Sequence, residues 1–134
     1  MKNALSFDIE EDFQAEAFAR LLPVDEWPSL GSRVAGSTRG LLNLLDAAGI
    51  RATFFVLGWV AERHPLLVRE IDRRGHEVAC HGYGHRMIHR MTRREFAEDV
   101  ARAKGVLEAI LGVPIIGYRA PTFSVVRETL WSLA

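Results

Sequence analysis

Short apolar runs alternate along this chain with longer segments whose apolar residues recur at helical spacing. The short runs predict buried strands, and the longer segments predict amphipathic helices that pack against them. The predicted strands are NALSF (3–7), ATFFVLG (52–58), EVAC (77–80) and PIIGYRAPTFS (114–124). The predicted helices are STRGLLNLLDAAGI (37–50), AERHPLLVREIDRRGH (61–76), the segment 93–111 and the opening of another in VRETLWSLA (126–134).

Capping residues mark the ends of two of these helices. Ser37 is the expected N-cap of the first helix, and Gly49 is its expected end. Thr92 and Glu95 have the spacing of a capping box at the start of the last long helix. Residues 13–36 show weak periodicity and contain proline and glycine, which predicts a long loop with one helical turn.

Strands that alternate with helices of this length pair in parallel through right-handed crossovers. The pattern therefore predicts one α/β domain over 1–134, with a parallel sheet or barrel. In folds of this kind, functional sites collect at the carboxyl ends of the strands. Three polar groups follow predicted strands and fall at that edge: the acids of 8–12, the histidines of 81–85 and Arg119.

Composition narrows the classes of function. The chain of 134 residues is 49% apolar and 25% charged, which is typical of a globular domain. Seventeen basic residues balance seventeen acidic ones, so no overall charge attracts nucleic acid or an anionic membrane. No apolar run approaches the roughly 18 residues of a membrane span. The single cysteine and the acids near the N-terminus, which leave no room for a signal peptide, lead us to expect a cytoplasmic protein.

Two histidines, His81 and His85, stand four apart in CHGYGH, directly after the third predicted strand. Histidine pairs at this spacing are often surface or structural residues in a turn, which is the alternative to a metal-binding role. The glycines at 82 and 84 favour ligation, since they let the backbone wrap so that both imidazoles reach one ion. With one carboxylate, the pair would form a metal site that leaves positions open for water and substrate.

The carboxylate could come from the acids after the first predicted strand. Asp8 and Glu10 are two apart and project to the same side of an extended segment, whereas Glu11 points away. An acid pair beside a metal offers one ligand and one base for the bound water, although a solvated acidic loop is the alternative. Arg119 could hold a catalytic carboxylate in its ionised form and orient it, although a lone arginine is more often a surface residue.

The neighbouring residues are expected to have structural roles. Cys80 is interpreted as a small buried residue, because no activating base can be assigned to it. His76 and His89 are expected to be solvated or to cap backbone groups. Core or loop packing is also the expectation for the three tryptophans, Trp27, Trp59 and Trp131.

The order of three motifs, SFDIEED, HGYGH and GYRAP, resembles that of the polysaccharide deacetylases of carbohydrate esterase family 4, the NodB-homology domain. The stretches DIEEDFQ, ATFFVLGWVAERHP, GHEVACHGYGH and IIGYRAPTFS are similar to the branch associated with bacterial exopolysaccharide biosynthesis. The resemblance implies a distorted (β/α) barrel with a divalent metal, for which zinc is the expected ion. It implies hydrolysis of N-acetyl groups on an amino sugar polysaccharide or its lipid-linked precursor, with release of acetate.

The resemblance also implies roles for individual residues. Asp8 would be the general base, His81 and His85 would be metal ligands, and Arg119 would orient the base.

The first and third motifs depart from the family pattern. The family has adjacent aspartates in its first motif, the second of which binds metal, but Ile9 stands there in this chain. Glu10 is the predicted third ligand because of its same-side position, and Glu11 is the alternative. A tyrosine whose backbone N–H contacts the oxyanion usually follows the third motif, and Thr122 takes its place.

The resemblance further implies that the chain is about half of such a domain. The family's later motifs, including a histidine that protonates the leaving amine, would follow position 134. Half a barrel would expose a strand edge, which the rest of a longer protein or an oligomer would cover. The alternative functions are a non-catalytic metal- or carbohydrate-binding fragment without its general acid, and a related amidase that cleaves another carbon–nitrogen bond.

Overall fold

A three-stranded parallel sheet forms the centre of the computed structural model, which describes residues 3–133. The strands, in both chain and spatial order, are β1 (Ser6–Ile9), β2 (Thr53–Val56) and β3 (Glu77–Cys80). Ile9 aligns with Val56, which aligns in turn with Cys80, so the three strands end at one edge. The parallel α/β architecture predicted from the sequence is therefore confirmed.

The helix that connects β1 to β2 begins earlier than predicted. This helix, α1, spans Val34–Ala48, and its N-cap residue is Arg33 rather than Ser37. The prediction of Ser37 is wrong because the carboxylate of Glu11, a distant residue in the chain, accepts the N–H groups of Arg33 at 2.9 Å and Val34 at 3.1 Å. The predicted end at Gly49 is confirmed, since this residue adopts a left-handed φ of 66°.

The single helix predicted between β2 and β3 is two helices. They are α2 (Gly58–Arg63) and α3 (Pro65–Arg73). The break falls at His64, whose ψ of 53° is not helical. Pro65 disfavours the helical conformation at the residue before it, and it also starts the next helix well because it needs no N–H partner there.

The longest helix, α4, spans Arg93–Leu111 and begins as predicted. The Thr92 hydroxyl accepts the N–H of Glu95 at 3.2 Å, and the Glu95 carboxylate accepts the N–H of Thr92 at 2.8 Å. The N–H and the hydroxyl of Thr92, which both donate to the Glu95 carboxylate at 2.8 Å, and the guanidinium of Arg86 lower the pKa of Glu95 to about 2. The helix packs on α2, α3 and β3.

The fourth predicted strand forms a single β-bridge with the end of β3. Cys80 donates its N–H to the carbonyl of Gly117 at 2.8 Å and accepts the N–H of Arg119 at 2.9 Å, in a parallel bridge. The extent of the predicted strand is wrong, because the chain then turns at Pro121 and Thr122, the latter with a φ of 53°. Arg119 nevertheless stands beside the end of β3, where the sequence placed it.

Several connecting segments form 3₁₀ turns. The predicted loop between β1 and α1 holds three of them, at Asp12–Gln14, Glu16–Phe18 and Trp27–Ser29, instead of one helical turn. The last predicted helix is a 3₁₀ helix over Arg127–Leu133, and position 134, where its prediction ended, lies outside the described residues.

The hydrophobic core lies between the sheet and the helices. Its fully buried large residues include Phe54, Leu57, Leu67, Ile71 and Leu107. Trp27 and Trp59 pack edge to face at 5.6 Å, so both belong to the core as predicted, and Trp131 packs on Phe96 at 5.6 Å. Among residues 3–133, no helix combines the length and apolar character that crossing a lipid bilayer requires.

Candidate metal centre

Side chains that follow β1 and β3, the two strands that flank β2, meet at the carboxyl edge of the sheet. Glu10 follows β1, and His81 and His85 follow β3. The Oε2 atom of Glu10 lies 2.9 Å from Nε2 of His85 and 3.7 Å from Nε2 of His81. One ligand atom from each residue lies within 4.8 Å of the others, which allows all three to contact one ion. The structure thus brings the three predicted ligands together, and their role as ligands remains a prediction.

The contacts in this cluster fit a cation better than a set of hydrogen bonds. Glu10 Oε2 is buried, and despite its short distance to His85 it accepts no hydrogen bond from the residues that the structure describes. A buried carboxylate oxygen without a donor is costly, and a divalent ion would remove that cost. Two imidazoles and one carboxylate are also a donor set of catalytic zinc sites. The residues present therefore fit the expected metal.

His81 is held in one orientation by the segment that carries Arg119. Its Nδ1 atom lies 2.9 Å from the backbone carbonyl of Arg119, so this nitrogen carries the proton and donates it. The lone pair of Nε2 then faces Glu10. The residue is 1% exposed, and this burial lowers the pKa of His81 even though the Asp8 carboxylate opposes the shift. A neutral imidazole is the form that binds metal.

Asp8 and Arg119 form an ion pair beside the cluster. The Arg119 guanidinium donates to Asp8 Oδ1 at 2.7 Å and to the Ser6 hydroxyl at 2.6 Å, and it stacks on the Phe55 ring at 4.0 Å. The other oxygen of Asp8, Oδ2, lies 3.8 Å from Nε2 of His81. The pair therefore orients Asp8 so that one oxygen faces the cluster, where a base for a bound water would have to lie.

Glu11 has a different position from Glu10, although the two are adjacent in the sequence. Its carboxylate is buried and accepts hydrogen bonds from the Ser32 hydroxyl and from the first N–H groups of α1. The Ser32 hydroxyl also lies 3.0 Å from Nε2 of His64. Glu11 thus caps α1 and points away from the histidines, which favours Glu10 as the predicted third ligand.

The turn between the two histidines packs closely against α2. The carbonyl groups of Gly82 and Tyr83 accept the N–H groups of Gly58 at 2.9 Å and Trp59 at 3.1 Å, the first residues of α2. Gly82 has a φ of 77°, and His85 has a φ of 54°, which is uncommon for a residue with a side chain. The start of α2 therefore fixes the shape of the turn that presents both imidazoles.

Replacement of Gly58 by alanine is expected to destabilise the fold by about 1–3 kcal/mol, the usual cost of overpacking. A Cβ atom at Gly58 would lie 2.7 Å from the Tyr83 ring and 2.9 Å from Cα of Ala103, and the second of these is backbone that cannot easily move. Urea unfolding monitored by circular dichroism measures the change. Gly40→Ala in α1 is the matched control, because no atom lies within 4 Å of its new Cβ, and it should be neutral or stabilising. Equal stability of Gly58→Ala and wild type would contradict the packing described.

Other residues considered from the sequence stay outside the cluster. Burial raises the pKa of the Cys80 thiol to about 11, so the thiol remains protonated and does not act as a nucleophile. Nδ1 of His76 accepts the N–H of Ala52 at 3.3 Å, which satisfies a backbone group before β2. His89 is exposed in a 3₁₀ turn. These structural roles agree with the expectations from sequence.

Sequence reasoning missed three residues that support the site. Ser6 and Phe55 contact Arg119, and their proximity follows from strand register, which leaves no recognisable signal in the sequence. Asp99 in α4 accepts the N–H of Tyr83 at 2.8 Å. Its position, four residues before the buried Ala103, lies on the apolar face of the helix, so a charged residue there was a detectable signal.

Comparisons with known proteins agree with the motifs. The family model described as polysaccharide deacetylase matches residues 19–134, and the acids after β1 precede that range. A peptidoglycan-N-acetylglucosamine deacetylase from Bacillus cereus is 27% identical over 93 residues, which are 69% of this chain and 34% of that protein. The chain therefore spans about a third of this curated relative.

Solved structures show the same fold. A polysaccharide deacetylase candidate from Mycobacterium smegmatis superposes with a TM-score of 0.77 at 32% identity, covering 98% of this chain and 46% of the other. A protein from Bacillus anthracis, described as a pseudoenzyme of carbohydrate esterase family 4, superposes with a TM-score of 0.73 at 16% identity, covering 96% and 39%. The sheet and helices described above thus correspond to part of a larger deacetylase fold. The match over most of its length shows that this chain belongs to the polysaccharide deacetylase family.

Proposed function

We propose that the site serves a zinc-dependent hydrolysis that removes N-acetyl groups from amino sugars in a polysaccharide or its lipid-linked precursor, with release of acetate. The observation that carries this proposal is the cluster of Glu10, His81 and His85 with Asp8 beside it. The similarity to the peptidoglycan-N-acetylglucosamine deacetylase of Bacillus cereus supports an N-acetylated amino sugar as substrate. A role in exopolysaccharide synthesis rests on the motif resemblance, and a cytoplasmic location and an oligomer that covers the sheet edge stay predictions.

The proposed reaction divides the work among the residues of the site. Glu10, His81 and His85 hold the ion, which when bound would polarise the acetyl carbonyl as a Lewis acid. Asp8 accepts the proton of the attacking water, and Arg119 keeps the accepting oxygen in position through the other oxygen of the carboxylate. The water is thereby positioned for attack on the acetyl carbon. The bond between that carbon and the sugar nitrogen then breaks as the nitrogen takes the proton that Asp8 accepted, which gives the free amine and acetate.

Open clefts on two sides give a sugar chain access to the cluster. One of about 490 Å³ is lined by Asp8, Glu10 and Asp12. Another of about 320 Å³ is lined by His85, Arg86 and other residues near the aromatic core. Open clefts that are lined by both charged and apolar side chains suit a hydrated sugar polymer better than a small hydrophobic ligand.

A second candidate function is that of a non-catalytic metal-binding module. The observation that favours it is the likeness to a pseudoenzyme at a TM-score of 0.73, because it shows that this fold alone does not guarantee activity. The two functions share the metal cluster and differ in whether the N-acetyl bond is cleaved.

Acetate release from acetylated chitooligosaccharides distinguishes the two. We expect the zinc-loaded chain to release acetate, and we expect the activity to disappear after chelation and return when zinc is restored. Deacetylated oligosaccharides are the control for acetate from other sources. Tight zinc binding without acetate release would favour the non-catalytic module, whereas acetate release that chelation does not change would contradict the proposed role of the metal.

A further inference from the structure

A partly buried carboxylate from α4 lies against the turn that presents the two histidines. Asp99 Oδ2 accepts the backbone N–H of Tyr83, midway between His81 and His85, at 2.8 Å. Asp99 contributes no atom to the cluster of Glu10 and the histidines. Its contact is with the backbone that joins the two proposed ligands, so it can influence the site through their placement.

The approach of this carboxylate depends on Gly82. A Cβ atom at this position would lie 2.9 Å from Asp99 Oδ2, so any side chain there would displace the carboxylate. The φ of 77° at Gly82 also disfavours residues that carry a side chain. The glycine in the turn therefore permits both the sharp bend after His81 and the contact from α4.

The backbone N–H of Tyr83, in the turn between the two histidines, needs a hydrogen-bond acceptor, and Asp99 provides it. Burial raises the pKa of Asp99, while the N–H groups of Tyr83 and Gly84 and the nearby Arg86 and Arg102 act in the opposite direction by favouring the charged form. The start of α2 supplies only N–H donors, which bind the carbonyl groups of the turn. Asp99 of α4 accepts the N–H of Tyr83 in the same turn. Hydrogen bonds from both α2 and α4 therefore fix the turn.

We propose that Asp99 is a positioning residue of the metal centre, which holds the turn so that Nε2 of His81 and Nε2 of His85 both face Glu10. The proposal rests on the zinc-binding role given above to those three residues. Asp99 acts through the peptide groups between the ligands, in the way that outer partners of metal ligands fix their orientation. We therefore expect zinc affinity to depend on Asp99, although its carboxylate is not among the groups that could contact the ion.

The first test compares zinc affinity in Asp99→Ala, Asp99→Asn and Glu98→Gln. Asp99→Ala is expected to weaken binding roughly 10- to 100-fold, as is typical when an outer partner of a ligand is lost. Asp99→Asn keeps one acceptor oxygen for the N–H of Tyr83 and should lose less than Asp99→Ala. Glu98→Gln changes a neighbouring exposed acid in the same helix and should bind zinc like wild type. Competition with a chromophoric chelator gives the affinities, and cobalt absorption spectra report ligand geometry.

A second readout separates this proposal from the function on which it rests. Amide hydrogen exchange at Tyr83 and Gly84, measured by NMR without metal, should be fastest in Asp99→Ala and unchanged in Glu98→Gln. It should also be faster than wild type in Asp99→Asn, because a neutral amide oxygen accepts less strongly than a carboxylate. If wild type fails to bind zinc, the proposed function fails, and the exchange rates alone decide the role of Asp99. If Asp99→Ala does not fold, the asparagine variant decides. Wild-type zinc affinity in a folded Asp99 variant, or unchanged exchange at Tyr83, would overturn the proposal.

Discussion

Replacement of His81 by alanine is expected to abolish tight zinc binding. The variant loses one of the three proposed protein ligands. In the wild type, the lone pair of His81 Nε2 faces Glu10. Loss of an outer partner alone costs roughly 10- to 100-fold in metal affinity, so loss of a ligand should exceed about 100-fold. Isothermal titration with zinc, at a temperature where circular dichroism shows a folded variant, measures the effect.

His76→Ala is a matched control for this experiment. His76 is also buried and also makes one hydrogen bond to the backbone, through Nδ1, but it precedes β3 and lies at the opposite end of that strand from His81. The control should lose stability to a similar degree and keep wild-type zinc affinity. Unchanged zinc affinity in His81→Ala would refute the proposed centre, and equal losses in both variants would show an effect of folding instead of ligation.

The convergence of the site residues was predictable because it depends on topology. Parallel strands place all their carboxyl ends at one edge, so residues that follow β1, β3 and the segment at Arg119 meet there whatever the details of the loops. The different directions of the Glu10 and Glu11 side chains were also predictable, since side chains alternate along an extended segment. Both inferences depend on the two-residue alternation of side chains along a strand and on the order of strands and helices, which can be read from the sequence.

The features that could not be predicted depend on contacts between distant residues. The start of α1 is set by the Glu11 carboxylate, which lies more than twenty residues before it, and no local pattern reveals that cap. The pairing of the fourth strand is limited by a turn at Thr122. This residue has a left-handed φ, which β-branched residues such as threonine rarely adopt, so the sequence did not indicate the turn. The break at His64 differs from these, because Pro65 was a visible local signal for it.

Replacement of Asp8 by asparagine is expected to reduce acetate release by about 10²- to 10⁴-fold, the usual contribution of a general base. The amide has nearly the same shape as the carboxylate, and its oxygen can still accept from Arg119, but it cannot take a proton from water. Zinc affinity should change much less than activity, because Asp8 is not among the three residues whose atoms cluster. The measurements are steady-state acetate release and zinc titration of the same preparation.

The contrast between the two measurements is what identifies Asp8 as a base rather than a ligand. Asp72→Asn is the matched control, since Asp72 is an exposed aspartate of α3 and has no atom in the cluster. That variant should retain both activity and zinc affinity. A large loss of zinc affinity in Asp8→Asn would assign Asp8 to the metal, in place of or beside Glu10. Near wild-type acetate release would instead exclude Asp8 as the base and require another residue near His81 to accept the proton.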